Sequence, residues 1–279
     1  GNSTCIDNNS CVFGTYNICN IQKQCVSVVG PGTDQCQNAT DCLDNTHNEC
    51  NAQLQCVTVS GAGANECQAN GDCANQCTNS LGNKNWRRVA MSSSGQYQTA
   101  TTNSDQLYAS VDYGITWTAR DSARLWHGVA MSSNGEYQTA VTESGKIYTS
   151  GNYGVTWTAR DSVRFWIGVD MSSDGKYQTA TAGGEKIYTS SDYGVTWTAR
   201  DSVRDWTRVA MSSDGRYQSA TVMTGQIYTS GDYGATWTAR DSNRPWYDID
   251  MSNDGSIQTA VATSNGRVYT STDYGVTWT

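Results

Sequence analysis

From Trp86 to Thr279 the chain alternates apolar and polar residues in short runs, each broken by Gly, Asn, Asp or Ser. No segment keeps a helical spacing of apolar residues over about eleven positions. Trp86, Trp126, Trp166, Trp206 and Trp246 stand 40 residues apart. Periods of roughly 20–50 residues mark solenoids, propellers or arrays. The third copy reads WIGVDMSSDGKYQTATAGGEKIYTSSDYGVTWTARDSVRD, and the others follow it closely. Each copy predicts four strands: W-x-x-V-A-M-S, Y-Q-T-A-x, I-Y-T-S and T-W-T-A-R. The first two are joined by Ser94-Gly95, Asn134-Gly135, Asp174-Gly175, Asp214-Gly215 or Asp254-Gly255. Asn-Gly and Asp-Gly are strong hairpin signals and predict positive φ at both central residues.

Four short strands repeated five times select an all-β fold, a five-bladed β-propeller with one repeat per radial blade. The fifth copy carries an extra residue near Ser264–Gly266 and ends at Thr279, before the ARDS segment. Asn79–Asn85 does not resemble T-W-T-A-R, and the fifth copy holds its own T-W-T. The expectation is therefore five self-contained blades, closed by packing the last face on the first; the alternative is that Thr279 is not the native end and more blades follow.

Before Trp86 the core material changes. All 11 Cys lie between Cys5 and Cys77, and all 10 Trp lie from Trp86 onward. Cys5, Cys11, Cys19 and Cys25 are repeated as Cys36, Cys42, Cys50 and Cys56, a period of 31 residues. A third copy opens at Cys67 and Cys73 and closes early at Cys77. Such small modules have too few apolar residues for a core, so covalent staples must replace one. The spacings lack a C-x-x-C knuckle and His partners, which favours disulfides over metal. The predicted organisation is a disulfide-rich repeat region over 1–80 and the propeller over 86–279. First-with-third pairing leaves Cys73 over, neighbour pairing leaves Cys77, and nested pairing leaves Cys67. A spare thiol is a candidate for a bond to another chain.

Composition narrows the classes. Net charge is −8, which argues against nucleic acid, whose phosphates need a basic face. No run approaches the roughly 18 apolar residues of a membrane span. The 10 Trp and 16 Tyr supply a core and set the chain apart from disordered sequences. The two His, His47 and His127, lie in different regions and leave little for His-based chemistry. No cofactor is expected, and no loop has the EF-hand spacing. Asp41–Asp44 and Asn70–Asp72 read as solvated turns. Asn2, Asn8 and Asn38 stand in N-x-S/T sequons and are candidate glycosylation sites. The chain opens GNSTC, without a basic and apolar leader. Given the disulfides, the expectation is that a leader was removed or that this is part of a longer chain.

The turn between the third and fourth strands reads SVDYGITW, SGNYGVTW, SSDYGVTW, SGDYGATW and STDYGVTW in the five copies. This pattern closely resembles the Asp-box of sialidase-type (BNR) repeats. The box residues are Asp112, Gly114 and Trp117; Asn152, Gly154 and Trp157; Asp192, Gly194 and Trp197; Asp232, Gly234 and Trp237; Asp273, Gly275 and Trp278. The carboxylate accepts backbone N–H bonds in its own turn, Gly takes a conformation closed to other residues, and Trp fills the blade. Asn152 still accepts a backbone bond, which suits a turn and not an acid site. The resemblance implies a folding element away from any active centre. Tyr113, Tyr153, Tyr193, Tyr233 and Tyr274 sit at the turn tips as candidate contact residues.

The resemblance also raises a sialidase-like glycoside hydrolase. Those enzymes use an arginine triad, a Tyr/Glu pair and an acid/base Asp, each unique in its pocket. Here nearly every Arg belongs to a repeated R-D-S-x-R linker, such as Arg120 with Arg124, and the family's Arg-Ile-Pro motif is absent. Those Arg and Asp side chains are expected to pair and fix blade to blade. Near-identical blades predict a near-symmetric centre, poor ground for an asymmetric catalytic site. A multivalent, lectin-like propeller with one glycan site per blade is the first alternative, and the hydrolase is the second. The preferred expectation is a non-enzymatic, secreted structural protein at the cell surface, a subunit of an appendage or filament. Self-association into a homopolymer through the Cys-rich segment is its main partnership, glycans are a further one, and the propeller decorates or adheres.

Overall fold

The computed structural model describes residues 3–6, 10–13, 15–19, 25–29, 46–50, 56–60, 81, 83–263 and 266–279. The chain divides into two compact units, Gly1–Asn79 and Ser80–Thr279. In the first unit three antiparallel pairs are described. They are β1 (Ser3–Ile6) with β2 (Ser10–Phe13), β3 (Thr15–Cys19) with β4 (Cys25–Val29), and β5 (Thr46–Cys50) with β6 (Cys56–Ser60). The backbone register sets Cys5 opposite Cys11, Cys19 opposite Cys25 and Cys50 opposite Cys56. Cys36, Cys42, Cys67, Cys73, Cys77, the sequons at Asn2, Asn8 and Asn38, and the loops at 41–44 and 70–72 lie outside the described residues.

The second unit is all antiparallel sheet. The third repeat forms β13 (Trp166–Met171), β14 (Gln178–Ala182), β15 (Glu185–Ser190) and β16 (Thr198–Arg204), hydrogen-bonded in that order. The fourth repeat does the same with β17 (Trp206–Met211), β18 (Gln218–Val222), β19 (Gly225–Ser230) and β20 (Thr238–Arg244). The first two repeats fuse differently. After β7 (Trp86–Met91), the second and third strands run on as β8 (Gln98–Ser110). The fourth continues into the next repeat as β9 (Thr118–Met131). With β10 (Gln138–Thr142), β11 (Gly145–Ser150) and β12 (Thr158–Arg164) they make one sheet of six. The fifth repeat has β21 (Trp246–Met251), β22 (Gln258–Ala262) and β23 (Arg267–Ser271). Its expected fourth strand shrinks to Thr279, which exchanges two 3.0 Å backbone bonds with Thr270. The other repeats build that strand from the T-A-R-D-S segment, of which the fifth has only the Thr.

The hairpin turns differ from expectation. Only the Gly has positive φ, from 76° at Gly95 to 82° at Gly135, and the preceding residue does not. The Asp or Asn side chain is the reason. Asp174 Oδ1 accepts from Ser172 Oγ at 2.6 Å and from Lys176 N at 3.0 Å, bending the chain into a longer loop.

The core lies between successive repeats. Trp126, Trp166, Trp206 and Trp246 are at most 1% exposed, each edge-on to Tyr148, Tyr188, Tyr228 or Tyr269 at 5.0–5.1 Å. Val141 and Ile147 of the second repeat pack on Trp166, Ala180 and Ala182 of the third, and the contact recurs downstream. Polar bonds fix its register. Ser93 N donates to Ser133 O, Ser133 N to Ser173 O, Ser173 N to Ser213 O and Ser213 N to Asn253 O, all at 2.7–2.8 Å. Thr99, Thr139, Thr179 and Ser219 each donate a side-chain hydroxyl at 2.6 Å to Gln138, Gln178, Gln218 or Gln258 of the next repeat. Each of these Gln amides is about 1% exposed and donates to the Gly carbonyl of its own hairpin.

Closure of the last face on the first is not seen. Among the described residues no bond runs from Asn253 N to Ser93 O or from Thr259 to Gln98. The end faces stay open: Trp86 is 40% exposed where its counterparts are buried, and Val268 is 63% exposed where Ile147, Ile187 and Ile227 are at 0%.

Replacing a buried amide strands its partners, at a cost of about 1–3 kcal/mol per buried unsatisfied group. Gln178→Ala is expected to destabilise the chain by roughly 2–4 kcal/mol, because it orphans Thr139 Oγ1 and the Gly175 carbonyl. Gln98→Ala, at the open end, is expected to cost well under half of that. Urea denaturation of both variants checks the contrast.

Candidate functional site

Several of the positions at which the repeats differ gather at one place. One residue after the repeat Trp stand Arg87, His127, Ile167, Thr207 and Tyr247; two after it stand Arg88, Gly128, Gly168, Arg208 and Asp248. These lie at the start of β7, β13, β17 and β21 and in the last third of β9. Backbone bonds hold the residue before each Trp beside the loop after the second strand: Glu143 N to Leu125 O, Met223 N to Asp205 O, Thr263 N to Pro245 O. Arg87, Arg88, His127, Ile167, Thr207, Arg208 and Tyr247 line a cleft of about 660 Å³ whose walls also include Trp86, Phe165 and Trp246. The expected near-symmetric centre is thus not what forms. The shared residues are consumed between repeats, so the axial positions are free to diverge.

The cleft is rich in guanidinium although the chain is acidic. Arg87 Nη1 lies 3.1 Å from Glu143 Oε2. Arg208 Nη1 donates to Ile167 O at 3.3 Å, and its Nε is 4.0 Å from Asp248 Oδ1. Arg88 Nη1 donates to Arg87 O at 3.1 Å and has no carboxylate partner among the described residues. Burial lowers the Arg208 pKa from the usual guanidinium value, and the charge of Arg88 adds to this against the pull of Asp248. Burial, then the charges of Arg87 and Arg208, push His127 down to about 4. Its Nδ1 is buried without a partner. On β13, Asp170 is pushed up to about 7 by burial, against N–H donation from Met171 at 2.9 Å and with Asp250 adding repulsion. Aromatic walls with clustered donors suit a small anionic ligand. Among the described residues no three His, Cys, Asp or Glu side chains converge as a metal would need.

The box turns lie elsewhere, at the strand-three to strand-four connections. Ser110 Oγ donates to Asp112 Oδ1 at 2.8 Å, Thr116 N donates to the same oxygen at 2.8 Å, and Trp117 Nε1 donates to Gly114 O at 3.0 Å. The pattern recurs at Asp192, Asp232 and Asp273, and with Trp157, Trp197, Trp237 and Trp278 on Gly154, Gly194, Gly234 and Gly275. Asn152 keeps it, accepting from Thr156 N at 2.9 Å and donating its amide to Thr156 Oγ1. The turn tips are engaged more than expected. Tyr153, Tyr193, Tyr233 and Tyr274 stack at 4.4–4.5 Å on Tyr97, Tyr137, Tyr177 and Tyr217 of the preceding repeat. Tyr113, in the first repeat, is 61% exposed.

The linkers join repeats differently from expectation. Asp121, Asp161, Asp201 and Asp241 pair at 3.2–3.8 Å with Arg124, Arg164, Arg204 and Arg244, within one linker. The link forward is the Arg lying 4.3–4.5 Å from the ring centre of the next repeat's Tyr and 5.7–5.8 Å from its Trp. The positive φ at each of these Asp turns the linker so that its Arg points back over the rings. Lys84 fills that station over Tyr108 at 4.8 Å in the first repeat. Its spacing of two residues before Trp86 was the signal in the sequence.

No known family profile matches this sequence, and no curated protein does. Solved structures do. A structure of YCF48 bound to D1 peptide superposes with a TM-score of 0.54 at 12% identity, covering 70% of this chain and 68% of that one. An ancestral GH74 enzyme gives 0.57 at 14%, covering 70% of this chain and 31% of the enzyme. The β-propeller domain of Myceliophteria thermophila Cps50 (Swd1) gives 0.56 at 10%, covering 69% and 67%. At these identities the likeness is one of fold, and the fold is a β-propeller.

The two perturbed groups have opposite pH slopes. Asp170 keeps its proton in the folded chain up to about 7, whereas the unfolded side chain loses it near 3.8, so stability falls as pH rises between those values. His127 stays neutral down to about 4 while the unfolded imidazole takes a proton below 6.5, so stability falls as pH drops across that window. In the intact protein the slopes oppose between about pH 4 and 6.5. Asp170→Asn is expected to raise stability at pH 8, by on the order of 1–3 kcal/mol. It also exposes the His127 slope, so that Tm climbs with pH from 4 to 6.5. Thermal melts of both proteins across this range check it.

Proposed function

We propose that this chain is a non-enzymatic extracellular structural protein, a subunit of a surface appendage or filament. In this reading the five repeats are five Asp-box blades and the Cys-rich modules are disulfide-stapled. One observation carries it: the residues that recur are used between repeats, in the Gln–hydroxyl bonds, the Tyr pairs and the Arg–aromatic contacts. Recurrence spent this way serves a stiff, extendable body. The opposed cysteines support neighbour pairing, because directly opposed antiparallel residues have Cα atoms about 4.5–5.5 Å apart, within disulfide reach. Extended by the 31-residue period, that pairing leaves Cys77 to bond another chain.

A second reading is favoured by the axial cleft. Its three Arg and aromatic walls suit one anionic ligand, such as an acidic glycan, in place of one weak site per blade.

Peptide mapping of the unreduced protein is expected to recover Cys5–Cys11, Cys19–Cys25 and Cys50–Cys56. Non-reducing electrophoresis is expected to show dimers that reductant or Cys77→Ser removes. Electron microscopy of the native protein is expected to show ordered oligomers. Dispersed monomers at every concentration overturn the structural reading.

A further inference from the structure

Two residues at the junction of the third and fourth repeats differ from their counterparts, and both line one cavity. Just after the box Gly, the fourth repeat carries Ala235 where the others carry Ile115, Val155, Val195 and Val276. Just before the box acid, the third repeat carries Ser191 where the second and fourth carry Gly151 and Gly231. The cavity between them measures about 140 Å³ and shares no lining residue with the axial cleft. Its polar half is common to the neighbouring junctions. Arg200 donates Nε to Thr189 Oγ1 at 3.1 Å, as Arg160 does to Thr149 and Arg240 to Thr229. The absent Val methyls are what open the space here.

The walls present groups that the internal bonding leaves over. With its Nε engaged, Arg200 keeps both Nη groups, and it has no carboxylate partner among the described residues. Asp232 Oδ1 accepts from Ser230 Oγ at 2.8 Å and from Thr236 N at 2.9 Å, and Oδ2 accepts from Thr236 Oγ1 at 2.6 Å. One acceptor position on Oδ2 remains. The Ser191 and Thr198 hydroxyls line the same space and bond nothing among the described residues. Tyr233, stacked on Tyr177 at 4.5 Å, is 42% exposed and offers an aromatic surface beside them. The third repeat thus supplies guanidinium and hydroxyl donors, and the fourth supplies one carboxylate acceptor and a ring. A ligand that answers all of these carries several groups that each donate and accept, on an otherwise apolar frame. The volume lies well below the roughly 300–1,000 Å³ of sites for drug-sized molecules, so it admits one ring and not a chain. A zwitterion fits less well, because three donors already hold the carboxylate that its ammonium needs.

We infer that this junction binds a single neutral sugar ring, the terminal residue of a glycan. Arg200 and Ser191 donate to its hydroxyls, Asp232 accepts from one of them, and Tyr233 lies along its C–H face. The site is distinct from the axial cleft and stands whether or not the chain is a structural subunit.

The test is saturation-transfer NMR on the full, unreduced chain, which reads the small molecule and works at any state of assembly. The probes are the methyl glycosides of glucose, galactose, mannose and N-acetylglucosamine, each raised to about 50 mM, because a ligand this small binds in the millimolar range. At least one is expected to give a saturable signal. Ala235→Val and Ser191→Gly each install the residue that sister repeats carry, and the Val counterparts are 43–48% exposed, so neither substitution crowds the core. Near-ultraviolet circular dichroism checks this. Ala235→Val is expected to weaken binding by about tenfold or more, and Ser191→Gly by several-fold. A glycoside signal that neither variant changes belongs elsewhere on the chain and overturns the inference. So does silence from all four glycosides. Saturable binding of free glycine or glutamate that Ala235→Val removes, with none from the glycosides, overturns it in favour of an amino-acid site.

Discussion

Each of the first four repeats hands one hydroxyl to a glutamine amide in the next, and the architecture of the second unit depends on that transfer. The Gln carboxamide is buried between two sheets, with its oxygen taking a Thr or Ser proton and its nitrogen satisfying the Gly carbonyl of its own hairpin. A buried amide left half-satisfied is costly, so the bond admits one register between neighbouring sheets. The Trp and Tyr rings supply most of the apolar area, but area is indifferent to sliding. The amide supplies direction. It also ties the hairpin turn to the packing, because the Gly whose carbonyl it reads is the residue that needs a positive φ.

With the register set in this way, the linker Arg has a defined place to go. Its guanidinium lies against the rings of the following repeat while its partner Asp stays behind in the linker. The first Arg of the linker shows how exact the fit is. Arg160, Arg200 and Arg240 each donate Nε to a Thr hydroxyl at 3.1 Å. In the first repeat that Thr is Ala109, and Arg120 Nε is left buried without a partner. The loss of one hydroxyl in an otherwise faithful copy thus leaves an orphaned donor.

Much of the sheet structure was legible because it repeats. The 40-residue Trp period, the Gly of the hairpins and the box turns each leave a mark in the chain that local chemistry explains. The Asn152 turn was legible for the same reason, since an amide accepts the bond that the carboxylate accepts. The axial cleft was not. Arg88, Arg208 and Asp248 stand at positions where the copies disagree, and against a strong period such positions look like drift. Comparing the columns around each Trp would have singled them out, because Gly128 and Gly168 share a column with three charged residues. The open ends were not legible either. The turn angle from one sheet to the next comes from tertiary packing, and no residue encodes it. The exchange of the predicted two-residue hairpin for an Asp-bent loop came from a side chain competing with the backbone for its own N–H groups.

Because the recurring polar bonds and ring contacts run from one repeat to the next, the number of copies is not written into any of them. Deleting one 40-residue copy from the middle, or duplicating it, would still present each Gln after the first copy with a hydroxyl and each Trp after Trp86 with a guanidinium. A slip during copying of the gene would then change the length of the protein while keeping the recurring contacts, and natural variants are expected to differ by whole copies.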